Sequence, residues 1–219
     1  MNIMTKVGLL FVFLSTSYFI IKPDLKQNFK SNFFVPIEKR IERSLNIRLS
    51  QLKRKLSNEE KKDIISVLKL SDEKYGIDYK DLIAMISLES RFNKNVKSCN
   101  YEKRWNRSKR KFYRVCKSID FGYTQQNSKS LADGRRIQKA KKLLTSNKIK
   151  FTNNIYDTKL NIMCAVVYYL ELRKILYNNG DYSYHKFISS YNTGISGYRK
   201  YPKKAQRYFE VFSSYKVGI

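Results

Sequence analysis

Residues 81–98 read DLIAMISLESRFNKNVKS, and the spacing within them decides the fold class. Leu82, Met85, Ile86 and Glu89 recur at i, i+3, i+4 and i+7, the period of one face of an amphipathic helix. The first three predict a face turned to a core. The fourth puts a carboxylic acid on the same stripe. A carboxylate on an apolar face is costly unless it is paired, wet or protonated. Desolvation favours the neutral acid and moves its pKa from about 4.3 toward roughly 6. That is the state a general acid needs near neutral pH. Periodicity alone favours a plainer reading, in which Glu89 lies at the stripe edge and ends the helix beside a basic partner such as Arg91. The residues that follow reverse that preference.

Helical signals dominate on both sides of this stretch. Ser57 and Glu60 form an S-x-x-E capping box that opens a helix through Ile64, Ile65, Leu68 and Leu70. Tyr75-Gly76-Ile77 breaks that helix, and Asp78 caps the one carrying Glu89. Ser128 to Leu144 predicts a further helix with a weak point at Gly134. Asp157 caps a helix whose run from Leu160 to Leu170 is apolar nearly all round, as in the centre of a bundle. Tyr182 to Tyr191 reads as a short helix stopped by Asn192 and Gly194. The last helix is Lys203 to Tyr215, with Ala205, Tyr208, Phe209 and Phe212 on one face. Cys99 to Lys117 reads as a basic loop, with at most a short strand near Phe112 to Val115. The fold class is mostly α, with the core domain over residues 57–219 and an insert at 99–117.

The chain has 219 residues, 42% apolar and 14% aromatic, the composition of a globular protein. Its 45 Lys and Arg against 18 Asp and Glu give a net charge of +27. Such a charge implies a polyanionic partner: nucleic acid, an anionic membrane or an anionic wall polymer. Lys6 precedes an uncharged, mostly apolar stretch from Val7 to Ile21, short for a spanning helix and normal for a signal sequence. Residues 1–22 are therefore expected to be an export signal, cleaved or retained as a membrane anchor. Export makes nucleic acid the less fitting partner. Residues 23–56 form a basic linker in which Ile37, Ile41, Leu45, Leu49, Leu52 and Leu56 fall on one helical stripe, with Pro36 suited to its first turn. That stripe is expected to pack on the following domain rather than lie on a membrane.

Four blocks in order carry a more specific resemblance. Glu89-Ser90-x-Phe92 with Ser98 reads E-S-x-F followed by a later serine. Ser118-Ile-Asp120-Phe-Gly122-Tyr-Thr-Gln125-Gln-Asn127 is similar to an S-x-D-x-G-L-M-Q-I-N block. Leu160-Asn161-Ile162 with Tyr168, Tyr169 and Leu170 is similar to an N-I…Y-L segment. Tyr191-Asn192-Thr193-Gly194 matches Y-N-x-G, with Tyr198 and Tyr208 following where aromatics are common. Together they resemble the soluble lytic transglycosylases of glycoside hydrolase family 23, and the D-x-G form resembles small members that accompany secretion systems and invasion apparatus. The resemblance implies a lysozyme-like fold and cleavage of the MurNAc–GlcNAc β-1,4 bond of peptidoglycan with formation of a 1,6-anhydro sugar. Glu89 would be the catalytic acid and then base. Ser98, Gln125, Tyr191 and Asn192 would bind substrate or hold the site, and Asp120 and Gly122 would brace the loop beside it. No cofactor is implied. The implied partners are glycan strands, a secretion or envelope-spanning machine, and the inner membrane if residues 1–22 are retained.

Two departures stand out. Tyr123-Thr124 replaces Leu-Met, which puts substrate contacts or rate in question and keeps a non-catalytic, wall-binding scaffold in view. The insert carries Tyr101, Trp105, Phe112 and Tyr113 among lysines and arginines, which suits glycan stacking with attraction to anionic wall groups, or single-stranded nucleic acid. In an exported protein Cys99 and Cys116 either bridge, closing a loop worth about 3 kcal/mol, or stand as free thiols. Cys164 reads as a buried structural cysteine. His185 is the sole histidine, so a histidine-rich zinc site is ruled out, and no metal, phosphate-loop or nucleotide signature appears. A lysozyme-type hydrolase that delivers water is the alternative enzyme.

Overall fold

The computed structural model describes residues 35–132 and 134–219. The expected signal or anchor at 1–22 lies outside the described residues, as does the linker up to residue 34. The fold proper runs from Arg40 to Ile219. Its elements in chain order are α1 (Ile37–Gln51), α2 (Asn58–Tyr75), α3 (Tyr79–Ser90), β1 (Lys97–Asn106), β2 (Lys111–Phe121), β3 (Gln126–Asn127), α4 (Ser128–Leu131), α5 (Arg135–Ser146), α6 (Thr158–Asn178), α7 (Tyr184–Lys200) and α8 (Pro202–Val217). Among the described residues the architecture is mostly helical with one small antiparallel sheet of order β1-β2-β3, and it is lysozyme-like.

α6 forms the centre. Leu160, Ile162, Met163, Cys164, Ala165 and Val166 are all 0% exposed, because α2, α5 and α7 pack around it. A helix apolar on every side is stable only when other helices cover every side. Asp157 caps it, accepting from the backbone N–H of Lys159 at 2.9 Å and Leu160 at 3.0 Å. Farther along, the Arg173 guanidinium donates to the carbonyls of Gly76 at 2.9 Å and Tyr75 at 2.7 Å. It thereby satisfies carbonyls that the end of α2 leaves open.

The capping box of α2 forms as expected: Ser57 Oγ accepts from the Glu60 N–H, and Glu60 Oε2 accepts from the Ser57 N–H, both at 3.1 Å. Gly76 ends the helix with φ 58°, a left-handed position where glycine meets no Cβ penalty. On α1, Ile41, Leu45 and Leu49 are buried, and Gln51 donates to the Gly218 carbonyl at 3.1 Å. α8 is clamped to α3 by a polar cluster. Lys216 pairs with Asp81 at 2.5 Å and Asp78 at 3.0 Å, and Tyr184 donates to Asp81 at 2.6 Å. This clamp fixes the two helices whose side chains meet at the site.

Three elements differ from the sequence reading. Residues 99–117 are not a loop: they belong to a long β1–β2 hairpin, with Lys97 paired to Phe121 at the base and Asn106 to Lys111 at the tip. Both of its faces are largely exposed, so no apolar–polar alternation marks the strands. The tip turns where Asn106 Oδ1 accepts from the Lys109 N–H at 2.9 Å and the Ser108 hydroxyl at 2.8 Å, a side-chain mimic of a backbone turn. Cys99 and Cys116 are joined by a disulfide across the hairpin. The helix expected at 128–144 is divided into α4 and α5 at Gly134, whose φ of 70° interrupts it. The helix expected to stop at Asn192 and Gly194 is interrupted at Gly194 but continues beyond it to Lys200. Gly194, at φ 70° and ψ 165°, makes a kink that L-residues avoid, and the chain re-enters helical geometry beyond it.

Candidate active site

Glu89 lies in the last turn of α3. Leu82, Met85 and Ile86 on its stripe are 0% exposed, and the helix closes two residues later, where Arg91 takes φ 50° and its N–H returns to the Ser87 carbonyl. Phe92, also 0% exposed, anchors the departing chain in the core. Glu89 is thus half-buried, where the core wall meets a cleft. Its carboxyl is pushed up to about 7. Burial is the main cause. The Asp120 charge adds to it, while the hydroxyl of Tyr208 and the Lys204 charge pull the other way. The Tyr208 hydroxyl, from α8, donates to Glu89 Oε1 at 2.7 Å. Near neutral pH both protonation states of this acid are accessible.

The cleft has a volume of about 330 Å³ and is lined in part by Glu89, Asn100, Asp120, Gln125, Tyr191 and Asn192. Five of the residues singled out from sequence therefore converge on one cavity: Glu89, Asp120, Gln125, Tyr191 and Asn192. Ser98 does not line it. Its hydroxyl donates to Gln125 Oε1 at 2.7 Å, so it reaches the cleft only through Gln125. Gln125 in turn donates to the carbonyls of Val96 at 3.2 Å and Gly122 at 3.1 Å. It holds the loop while facing the cleft. Asn192 is exposed there, and its side chain makes no hydrogen bond among the described residues.

The loop from Phe121 to Gln125 is built around Asn161 of α6, which is 0% exposed. Asn161 Oδ1 accepts from the Thr124 N–H at 3.0 Å, and the Thr124 hydroxyl lies 3.0 Å from the same oxygen. Its amide donates to the Phe121 and Ile155 carbonyls. Gly122 crosses directly over this amide with φ 78°, and a Cβ there would lie 2.3 Å from Asn161 Nδ2. Only glycine fits. Tyr191 donates to the Thr124 carbonyl at 2.8 Å and accepts from Gln126 Nε2 at 3.0 Å. Its phenol is held well above its ordinary pKa by burial and by the neighbouring Glu89 charge, which keeps it neutral.

Asp120 faces the cleft from the end of β2. Its two oxygens accept from Asn100 at 2.8 Å and Asn127 at 2.6 Å. Tyr123 and Thr124, the two departures noted in the sequence, are both 0% exposed and do not line the cleft. Tyr123 instead donates to Glu60 Oε1 at 3.1 Å.

Sequence reasoning did not assign Tyr208, Asn161, Gln126 or Arg136 to the site. Asn161, Tyr208 and Gln126 lie in quoted blocks, so a signal existed for them. Gln126 is 3% exposed and bridges Thr124 and Tyr191, and Arg136 lines the cleft with its guanidinium 4.2 Å above the Tyr168 ring. Arg136 has no local pattern that marks it. Among the described residues no three His, Cys, Asp or Glu side chains gather to hold a metal ion, and no helix is long and apolar enough to cross a membrane.

A lysozyme-like helical fold with one desolvated acid at the edge of a polar cleft defines a class of glycan-cleaving enzymes. The transglycosylase SLT domain family matches residues 66–210, and the chain belongs to it. It is a lytic transglycosylase of peptidoglycan, working outside the cytoplasm. No curated protein and no solved structure matches the chain significantly.

Proposed function

We propose that residues 57–219 cleave the MurNAc–GlcNAc β-1,4 bond and leave a 1,6-anhydro-MurNAc end, as a member of glycoside hydrolase family 23. The observation that carries this reading is Glu89: a desolvated acid near pKa 7 beside the Tyr208 hydroxyl, in a cleft with Gln125 and Tyr191. The neutral acid protonates the glycosidic oxygen as the bond to the anomeric carbon breaks. The resulting carboxylate then takes the proton of the sugar's 6-hydroxyl, whose oxygen attacks that carbon. The acid is restored and no water is consumed. Most glycosidases use two carboxylates, whereas a nucleophile supplied by the substrate needs only one group that can act twice. Proton transfer of this kind contributes about 10²–10⁴ in rate, and holding the strand in a reactive pose supplies the rest.

Gln125, Tyr191 and Asn192 are read as substrate-facing, Ser98 as the residue that orients Gln125, and Asp120 and Gly122 as loop braces. The second reading is a hydrolase in which Asp120 activates water. It is favoured by one observation, that Asp120 faces the same cleft closely enough to raise Glu89. Its two amide partners suit a brace better than a base. Digestion of sacculi followed by mass spectrometry separates the two. Anhydro ends, lost in Glu89→Gln and reduced less than about tenfold in Asp120→Asn, support the first, since losing a proton-transfer group costs more than that. Reducing, non-anhydro ends would reject it. Export to the periplasm or envelope, with residues 1–22 as signal or anchor, and local opening of the wall for an envelope-spanning machine complete the reading. They are supported by the apolar stretch Val7 to Ile21 and the D-x-G form of the loop motif.

A further inference from the structure

The β1–β2 hairpin is far longer than the site requires. Only its base, through Asn100 and Asp120, reaches the cleft. Strand alternation divides the rest into two faces. Asn100 and Asp120 lie on one of them. Tyr101, Lys103 and Trp105 of β1, with Phe112 and Arg114 of β2, lie on the other, since Trp105 pairs with Phe112, Lys103 with Arg114 and Tyr101 with Cys116. Tyr101 is 62%, Trp105 50% and Phe112 64% exposed. Three large rings on one open face are stapled at one end by the Cys99–Cys116 disulfide and keep half or more of their surface in solvent.

The charge around these rings is one-sided. Arg104 and Lys117 pair with Glu102. Lys103, Arg107, Lys109, Arg110, Lys111 and Arg114 have no carboxylate within ion-pair distance among the described residues. Their charges would meet an anionic surface unspent. The ring geometry also bears on which anionic partner fits. Trp105 and Phe112 meet edge to face, with centroids 5.0 Å apart and planes at 63°. A single ring face is enough to stack one sugar or base, but rings set at such an angle do not form a continuous platform for a strand. An edge-on aromatic wedge ringed by lysine and arginine suits a bilayer interface instead. There Trp and Tyr sit at headgroup depth, Phe inserts on the apolar side, and Lys and Arg extend to the phosphates.

We propose that the Tyr101–Trp105–Phe112 face of the hairpin docks on an anionic phospholipid surface, with the tip cations Arg107, Lys109, Arg110 and Lys111 at the headgroups. The face lies opposite the one that enters the cleft, so glycan and bilayer can be held at once. The enzyme would then cut wall close to the membrane. The inference does not depend on the mechanism proposed above.

Trp105 is the sole tryptophan of the chain, so its emission reports on this face in the full-length protein whatever residues 1–22 do. Vesicles of phosphatidylcholine with phosphatidylglycerol should shift its emission to the blue, and brominated acyl chains should quench it. Phosphatidylcholine alone should do neither, and high salt should reverse the shift. A variant combining Arg107→Ser, Lys109→Ser, Arg110→Asn and Lys111→Ser keeps the reporter. It should need on the order of several hundredfold more anionic lipid, from about fivefold for each cation near the surface, with Tm unchanged. Phe112→Ser should remove the shift and leave the Tm in place. An unshifted, unquenched Trp105 in the wild type would overturn the proposal. So would an equal shift on adding soluble polyglutamate, purified glycan strands or single-stranded DNA, which would assign the face to a polymer.

Discussion

Replacing Glu89 with glutamine should make the protein more stable, and chiefly at neutral pH and above. An acid with a raised folded-state pKa costs nothing while both states are protonated. It destabilises the fold as pH rises from the unfolded value of about 4.3 through the folded one. For Glu89 the folded value is about 7. The charged form thus costs about 3.5 kcal/mol at pH 8, and only about 1 kcal/mol at pH 5. A glutamine side chain bears no such cost and keeps an oxygen to accept from Tyr208, whose hydroxyl lies 2.7 Å from Glu89 Oε1 in the native chain. In a domain of this size the gain corresponds to a Tm higher by about 7–14 °C at pH 8, shrinking to a few degrees at pH 5. Thermal and urea unfolding of both proteins at a series of pH values measures it. Titrating groups away from Glu89 contribute equally to the two chains and cancel in the difference, whereas Asp120 and Lys204 are coupled to it. A Tm difference that does not change with pH would show that Glu89 is not desolvated, and the reasoning about its proton chemistry would fail with it.

Other expectations follow from the same contacts. Tyr208→Phe removes the hydrogen bond that favours the charged form of Glu89, so the alkaline limb of kcat/KM should move up by about one pH unit; a limb that stays in place or moves down would exclude that role. Asn161→Ala removes the acceptor of the buried Thr124 N–H and the amide that donates to the Phe121 and Ile155 carbonyls; it should cost about 2–3 kcal/mol in urea unfolding and lower activity through the loop. Gly122→Ala places a Cβ within 2.3 Å of Asn161 Nδ2 at φ 78° and should destabilise at least as much. Replacing Cys99 and Cys116 by serine removes a constraint worth about 3 kcal/mol in chain entropy, but on a projecting hairpin; limited proteolysis should speed up between residues 100 and 116, while the Tm of the helical body moves little.

The helices were legible because each carries its own start, stop and stripe. The Ser57–Glu60 box, the Gly76 terminus, the Asp78 and Asp157 caps and the apolar run of α6 are local signals with local causes. The hairpin was not legible, since its strands are held by cross-strand pairing and one disulfide rather than by a buried face. A strand without a dry side loses the alternation by which strands are recognised. Asn192 misled in a different way. An asparagine close before a glycine usually ends a helix, but the break falls at Gly194 and α7 resumes beyond it. At the site, the stripe alone left Glu89 a helix-end residue, and the motif blocks singled out Glu89, Gln125, Tyr191 and Asn192. Arg136 could not be found, because what brings it to the cleft is the packing of α5 on α6, where its guanidinium lies over Tyr168.

What sets Glu89 apart is spread over the whole chain. Its own helix supplies the apolar wall, Tyr208 arrives from α8, Asp120 from the end of β2, and Lys204 from the start of α8. None of these neighbours is near it in sequence. The Lys216–Asp81 clamp and the Asn161 peg, both away from the cleft, decide where Tyr208 and the Asp120 loop stand. The proton affinity of the acid is therefore a readout of tertiary packing. A substitution at the clamp that lets α8 slide from α3 would wet Glu89 and return it toward an ordinary carboxylate, ionised at neutral pH and useless as an acid. Lys216→Met tests this by touching no cleft residue. Its activity per folded molecule, with the folded fraction read by circular dichroism at each pH because Asp81 loses its cation, should fall at pH 7 and recover as the medium is made more acidic; activity that merely tracks the folded fraction would exclude this coupling.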